Sequence, residues 1–173
     1  MAVLAAGLFA LVMFFPGFSC GVADKDAGGY VSHAVQIART GSYSFTDPAL
    51  AHGDLPVAGE SPGARLPGVW IRNETTGLIV PQFYHLWPSL LATGYDVAGF
   101  GGMQAVGPIV LAAAVMALVG MLRRLVGILG AVVGGVLLAT NMLEVWQAKF
   151  PTTEGLAQLF FIGAIYGGVV SIQ

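Results

Sequence analysis

Four charge-free apolar runs set the strongest limit on how this chain folds. They cover residues 2–23, 105–122, 125–143 and 155–173. Each is about 18 to 22 residues long, enough to cross roughly 30 Å of hydrocarbon at about 1.5 Å per residue. The sequence therefore predicts an all-α membrane protein with about four transmembrane helices, in a single transmembrane domain.

Composition supports a membrane protein and excludes several other classes. The chain has 173 residues, of which 56% are apolar and 9% charged, whereas a soluble domain carries roughly a quarter charged residues. There is no basic stripe of the kind that binds nucleic acid. The single cysteine, Cys20, cannot form an internal disulfide, and no Cys/His cluster indicates zinc.

Two apolar runs allow more than one interpretation. Residues 2–23 form either a retained first span or a cleaved signal peptide, although a basic leading region is missing. A fifth charge-free run, 75–95, contains Pro81, His85 and Pro88, and is more typical of an interfacial or re-entrant segment than of a span.

The basic pair Arg123-Arg124 predicts the orientation of the chain. Positive loops tend to lie in the cytoplasm, so the N-terminus is cytoplasmic and residues 24–104 form a large extracytoplasmic first loop. Lys149 and Glu154 then lie on the same side as Asp26. If residues 75–95 crossed the membrane, Asp26 would lie on the side opposite to Lys149 and Glu154.

The predicted first loop begins with an amphipathic segment. Residues 29–40 carry apolar side chains at helical spacing, which favours a helix lying along the membrane surface, with Gly41 as its C-cap. His33 lies elsewhere on this helical wheel, among the polar residues. Residues 46–68 are rich in Pro, Gly and Ala and predict an irregular loop.

Three motifs together resemble a known family. Asp26-Ala27-Gly28-Gly29-Tyr30 follows the first apolar run, residues 82–92 (QFYHLWPSLLA) precede the second, and residues 141–158 (NMLEVWQAKFPTTEGLAQ) link the third and fourth. Their order resembles the N-terminal part of the GT-C glycosyltransferases. The likeness is to bacterial relatives of protein O-mannosyltransferases and lipid A aminoarabinose transferases, and it covers essentially the whole chain.

The resemblance implies a function and a set of site residues. It implies inverting transfer of a sugar from a polyprenyl-phosphate donor to an extracytoplasmic acceptor (glycan, lipid or protein) at a bacterial inner membrane. Asp26 matches the family's catalytic aspartate, with Tyr30 four positions later, while Ala27 stands where the family often has Glu. Glu154 matches the acidic residue of the second external loop, and Lys149 falls where the family often has Arg.

The residue types also suit this chemistry. A carboxylate such as Asp26 can accept the proton of an acceptor hydroxyl, and Lys149, Arg65 or Arg72 could offset the charge of the departing phosphate. Glu154 could orient the acceptor, or hold a divalent cation together with Asp26. The candidate catalytic residues are therefore Asp26 and Glu154; the candidate substrate-binding residues are Lys149, Tyr30, His85 and Arg72.

Each candidate also has a structural interpretation. Asp26 could cap the amphipathic helix, Glu154 could favour the dipole of the helix that it begins, and Lys149 could extend to lipid headgroups. His85 lies between Tyr84 and Trp87 and suits packing at the interface. The neighbouring carboxylate Asp24 is expected to be solvated.

The number of spans leaves a second function open. The enzymes of the family have roughly eleven to thirteen spans by this resemblance, so we expect this chain to be a truncated piece or one part of a split enzyme, inactive without its missing spans. The alternative is a small membrane scaffold or transporter subunit that packs on a partner through glycine-rich helices.

Overall fold

The computed structural model describes residues 1–17, 25–52, 65–66 and 68–172, and it is mostly helical. The helices are α1 (Ala2–Phe14), α2 (Lys25–Thr40), α3 (Pro48–Ala51), α4 (Leu86–Leu125), α5 (Gly127–Ala139), α6 (Met142–Ala148) and α7 (Glu154–Ile172). The strands are β1 (Phe45–Thr46), β2 (Arg65–Leu66), β3 (Val69–Asn73) and β4 (Leu78–Pro81).

Within the described residues, two helices are long and apolar enough to cross a membrane. They are α4, which contains the predicted span 105–122, and α7, which matches the predicted span 155–173. Helices α5 and α6 would make a third span if counted together, although they are bent by 59°. These helices confirm a protein compatible with membrane insertion, while four separate spans are not confirmed.

The first predicted span differs from the helix that forms. Helix α1 ends at Phe14, so it has 13 residues and a length of about 20 Å. Phe15 is extended, with φ −85° and ψ 149°. Pro16 explains the end of the helix, because proline disfavours helical geometry in the residue before it and has no N–H to donate. The rest of the 2–23 run, from residue 18, lies outside the described residues.

Helix α4 consists of two arms joined at a break. Ala98 and Gly99 have non-helical backbone angles, and Gly99 adopts φ 60° and ψ −146°, a region open essentially to glycine alone. A Cβ added at Gly94 would lie 2.7 Å from the carbonyl oxygen of Gly102. Residues eight apart in a straight helix are about 12 Å apart, so the arms 86–97 and 100–125 meet at a sharp angle.

The membrane-type helices pack around small residues. Ala10 and Phe14 of α1, Val115 and Val119 of α4, and Ala131 of α5 are buried in one cluster. Small side chains allow helix backbones to approach closely, which is the usual way that helices associate in lipid. The longer arm of α4 is therefore the central element of the bundle.

A small antiparallel sheet lies between α2 and α4 in the sequence. Its strand order is β1-β4-β3-β2, and Leu50 of α3 packs on Ile71 and Ile79 of the sheet. No strand was predicted from the sequence in this region. Residues 75–95 do not form a spanning helix, since they contain a turn, β4 and the beginning of α4.

Helix α2 confirms the amphipathic helix predicted over residues 29–40. Gly41 ends it in the left-handed conformation, with φ 66°, and donates its N–H to the carbonyl of Ile37 at 2.7 Å. A glycine at this position is the common C-cap because other residues pay a steric penalty there.

Candidate functional site

Helix α2 packs through its apolar side mainly on α4. Tyr30 and Ala34 are buried against Trp87 and Leu91 of the short arm of α4 and against Leu156 of α7. The apolar side predicted to rest on the membrane surface is therefore used largely inside the protein. This packing brings the first turn of α2 close to the beginning of α7.

Hydrogen bonds fix the segment between α6 and α7 against α4 and the residues that follow α1. The indole N–H of Trp87 donates to the carbonyl of Pro151 at 2.9 Å, and this bond is buried. Lys149 Nζ donates to the carbonyl of Pro16 at 3.1 Å. The segment is thus tied to the short arm of α4 and to the residues that follow α1.

Tyr30 is the point at which the two predicted acidic regions meet. Its side chain is 8% exposed, and burial raises the pKa of its phenol. A hydrogen bond with the Thr153 side chain lowers that pKa, while the negative charges of Glu154 and then Asp26 raise it further. Both carboxylates therefore lie close enough to act on one phenol, although they are far apart in the sequence.

The two carboxylates are exposed and lie near the beginnings of helices. Asp26 is in the first turn of α2, and Glu154 is the first residue of α7. A negative charge is favourable at a helix N-terminus, where the backbone N–H groups are unpaired. The arrangement leaves both carboxylates accessible to a ligand, near the largely buried Tyr30.

The other predicted site residues are more dispersed. His85 is exposed at the N-cap of α4, and its ring lies on that of Tyr43 with centroids 3.7 Å apart. Arg72 is exposed on β3. Lys149 is exposed, with its ammonium on the Pro16 carbonyl. Asp24 and the side chain of Arg65 lie outside the described residues.

An aromatic cluster that packs against Tyr30 was not predicted from the sequence. The Tyr30 and Phe83 rings have centroids 4.5 Å apart, and the Tyr43 hydroxyl donates to the Phe83 carbonyl. His33 lies 6.1 Å from both Tyr43 and Phe83 by ring centroids and is 3% exposed. Its three-residue spacing from Tyr30 was the available signal, because such residues share a helix face.

His33 is also electrostatically unusual. Its Nδ1 is buried without a hydrogen-bond partner in the part of the chain that the structure describes. Burial lowers the pKa of the imidazole to about 4. The predicted polar placement of His33 is therefore wrong, and the ring is a neutral core residue near neutral pH.

A second missed residue is the buried carboxyl of Glu144. It is 6% exposed on α6, and its Oε1 accepts a hydrogen bond from Gln158 Nε2 of α7 at 2.7 Å. The pair links the helices on either side of the segment 149–153. The local sequence does not signal this partner, which is 14 residues away.

The carboxylates do not assemble into a larger ligand set. Among the described residues, no group of three or more His, Cys, Asp and Glu side chains could hold a metal ion. A divalent cation at this site would therefore rely on Asp26 and Glu154 together with ligands from water or substrate.

Comparisons with known proteins give no relative from which a function can be transferred. No protein-family model matches the chain, and no curated protein or solved structure matches it significantly.

Proposed function

We propose that this chain contributes the catalytic aspartate region of a membrane glycosyltransferase that uses a polyprenyl-phosphate-linked sugar. The observation that carries the proposal is the environment of Tyr30, on which Glu154 and Asp26 both act and which Thr153 contacts. Two motifs that suggested the function from the sequence thus converge on one phenol. A site with a base and a second carboxylate suits transfer to a hydroxyl.

In the proposed reaction, the oxygen of the acceptor hydroxyl attacks the anomeric carbon from the side opposite the phosphate. Asp26 accepts the proton of that hydroxyl. The bond from carbon to phosphate oxygen breaks, and polyprenyl phosphate leaves with inversion at the sugar. Glu154 orients the acceptor, and Tyr30 donates a hydrogen bond to it. Lys149 uses one N–H on Pro16, so two remain for the departing phosphate.

The candidate binding residues His85 and Arg72 have supporting roles in this proposal. Both are exposed, and His85 follows the segment that packs on Tyr30 through Phe83. His85 would contact the sugar. Arg72, which lies on β3 of the sheet, would contact the phosphate or an anionic acceptor. A divalent cation held by Asp26 and Glu154 would supply part of the positive charge that Lys149 and Arg72 offer to the departing phosphate.

The alternative is a scaffold or transporter subunit, and one observation favours it. A Cβ added at Gly163, Gly167 or Gly168 of α7 would meet no atom within 4 Å, and only 11% of the residues in the apolar stretch of α7 are buried. Such a surface could pack on the helices of a partner. A scaffold would need neither carboxylate beside Tyr30.

Carboxylate substitution separates these two functions. Native membranes, which contain the protein together with any partner that supplies further spans, and in which the wild type is active, are incubated with a panel of polyprenyl-phosphate sugars. Release of polyprenyl phosphate is measured by mass spectrometry. We expect Asp26→Asn to lower release by about 100-fold or more. The control is Asp96→Asn, an exposed aspartate on α4. Equal release by wild type and Asp26→Asn, or equal loss in both variants, would contradict the proposed base.

A further inference from the structure

Helix α6 has the reverse of the exposure pattern that a water-facing helix shows. Its outward side carries Met142, Leu143 and Trp146, which are 84%, 71% and 48% exposed. Its inward side carries Glu144, which is 6% exposed. A surface helix in water does the opposite, because it buries its apolar side and exposes its charges.

The exposed apolar residues and the buried residues of α6 lie on two opposite sides of the helix. At about 100° per residue, Met142, Trp146 and Leu143 fall on one side of the helix, together with the following Phe150. The rings of Trp146 and Phe150 stack with centroids 4.3 Å apart. Glu144 and Ala148 are four residues apart on the opposite side and are both buried.

The neighbours of α6 indicate what lies outside it. Leu129 and Leu137 of α5 are 76% and 66% exposed, and most of the spanning stretch of α7 is exposed as well. The outward side of α6 is therefore apolar, like the exposed sides of α5 and α7 on either side of it in the chain. The bend of 59° turns α6 away from the direction of α5, as expected where a chain reaches the edge of the hydrocarbon.

From this pattern we propose that α6 is an interfacial helix whose outward side lies in the lipid, at the boundary between headgroups and acyl chains. Tryptophan prefers this layer because its ring is apolar and its N–H is polar. Lys149 lies at the rim of the same side, where its long side chain reaches the polar layer. The hydrogen bond from Gln158 makes burial of Glu144 tolerable.

The proposal assigns a depth to the candidate site without depending on the glycosyltransferase function. Residues 149–153 connect α6 directly to Glu154, and Thr153 contacts Tyr30. If α6 lies at the headgroup boundary, the carboxylates lie beside that layer. A scaffold with no catalytic role would have the same helix placement.

Fluorescence quenching at known depths tests this placement. The full chain is reconstituted in phosphatidylcholine vesicles whose acyl chains carry bromine near either the glycerol end or the methyl end. The Trp146 signal is the difference between wild type and Trp146→Phe, which retains Trp70 and Trp87. We expect bromine near the glycerol end to quench this signal about twofold more than bromine near the methyl end, since interfacial helices lie about 5–10 Å deep.

Two other outcomes would overturn the proposal. Quenching of Trp146 by aqueous iodide but not by brominated lipid would place α6 in water. Protection from both quenchers would mean that a partner protein or a second copy covers it. A second variant provides an independent measurement: Leu143→Asp should lower the thermal midpoint in vesicles by several degrees, whereas an unchanged or higher midpoint would contradict contact with lipid.

Discussion

Helices α2 and α6 are both amphipathic, but they present opposite sides outward. Helix α2 buries Tyr30 and Ala34 and exposes Asp26, whereas α6 buries Glu144 and exposes Leu143. The difference lies in their surroundings, because α2 packs its apolar side mainly on α4 while the apolar side of α6 faces outward. Amphipathic spacing reveals that a helix has two sides, but it does not reveal which one faces inward.

The largest expected effect is on stability, when Leu91, on which α2 packs, is replaced by alanine. Leu143, on the outward side of α6, provides the comparison. Leu91 is completely buried in the cluster beneath α2, so Leu91→Ala should destabilise the fold by about 2–5 kcal/mol through lost contacts and a cavity. Leu143→Ala should change stability by no more than about 0.5 kcal/mol. Chemical unfolding in lipid nanodiscs measures both values, and equal losses would remove the distinction between the two helices.

The next effect concerns the buried histidine of α2. The pKa of His33 is about 4 in the folded protein and 6.5 for a free imidazole, so protons bind the unfolded state more readily. The stability associated with neutral His33 is present above pH 6.5 and is lost as the pH falls towards 4, by up to about 3 kcal/mol.

Thermal unfolding between pH 7 and pH 4 measures this dependence. His33→Phe should flatten the curve over that interval, whereas His52→Gln, at an exposed histidine after α3, should leave it unchanged. A wild-type curve that is flat between pH 6.5 and pH 4 would show that His33 titrates in the folded state without cost. The buried position of the ring would then be wrong.

The smallest effect concerns the charges that meet at Tyr30. Replacement of Glu154 by Gln should lower the pKa of the Tyr30 phenol, and Asp26→Asn should lower it less, since Glu154 has the larger influence. Thr153→Val should raise that pKa, because it removes a hydrogen bond that favours the phenolate. Carbon-13 NMR of labelled tyrosine, assigned with Tyr30→Phe, follows the titration.

This titration also needs no substrate, so it tests the geometry apart from the function. An unchanged Tyr30 pKa in both carboxylate variants would separate the two acidic regions and remove the basis of the proposed site. A shifted pKa with no loss of transfer in Asp26→Asn would instead preserve the site and exclude aspartate as the base.

Local sequence accounts for the elements that depend on local chemistry. The spans 105–122 and 155–173 follow from uninterrupted hydropathy, and α2 with its Gly41 cap follows from helical spacing. The early end of α1 could also have been anticipated from Pro16, but the continuing apolar run obscured it. The proximity of Tyr30 to Glu154 was expected only through the predicted orientation of the loops.

The features that sequence analysis missed depend on residues distant in the chain. The sheet pairs β1 with β4 across more than 30 residues of the chain. His33 became a core residue because Tyr43 and Phe83 pack around it, and Glu144 became tolerable inside because Gln158 reaches it. A single sequence contains no direct record of such partners.

The corner of α4 shows how little chemistry can determine a large change of direction. Gly94 and Gly102 touch backbone to backbone, and even a methyl group on Gly94 would press against a carbonyl oxygen. The angle between the arms is thus specified by two missing side chains and one glycine, Gly99, in a conformation closed to other residues. Gly94→Ala or Gly102→Ala would force the two arms apart. The short arm, with Trp87 and the surface on which α2 packs, would then move away from the bundle.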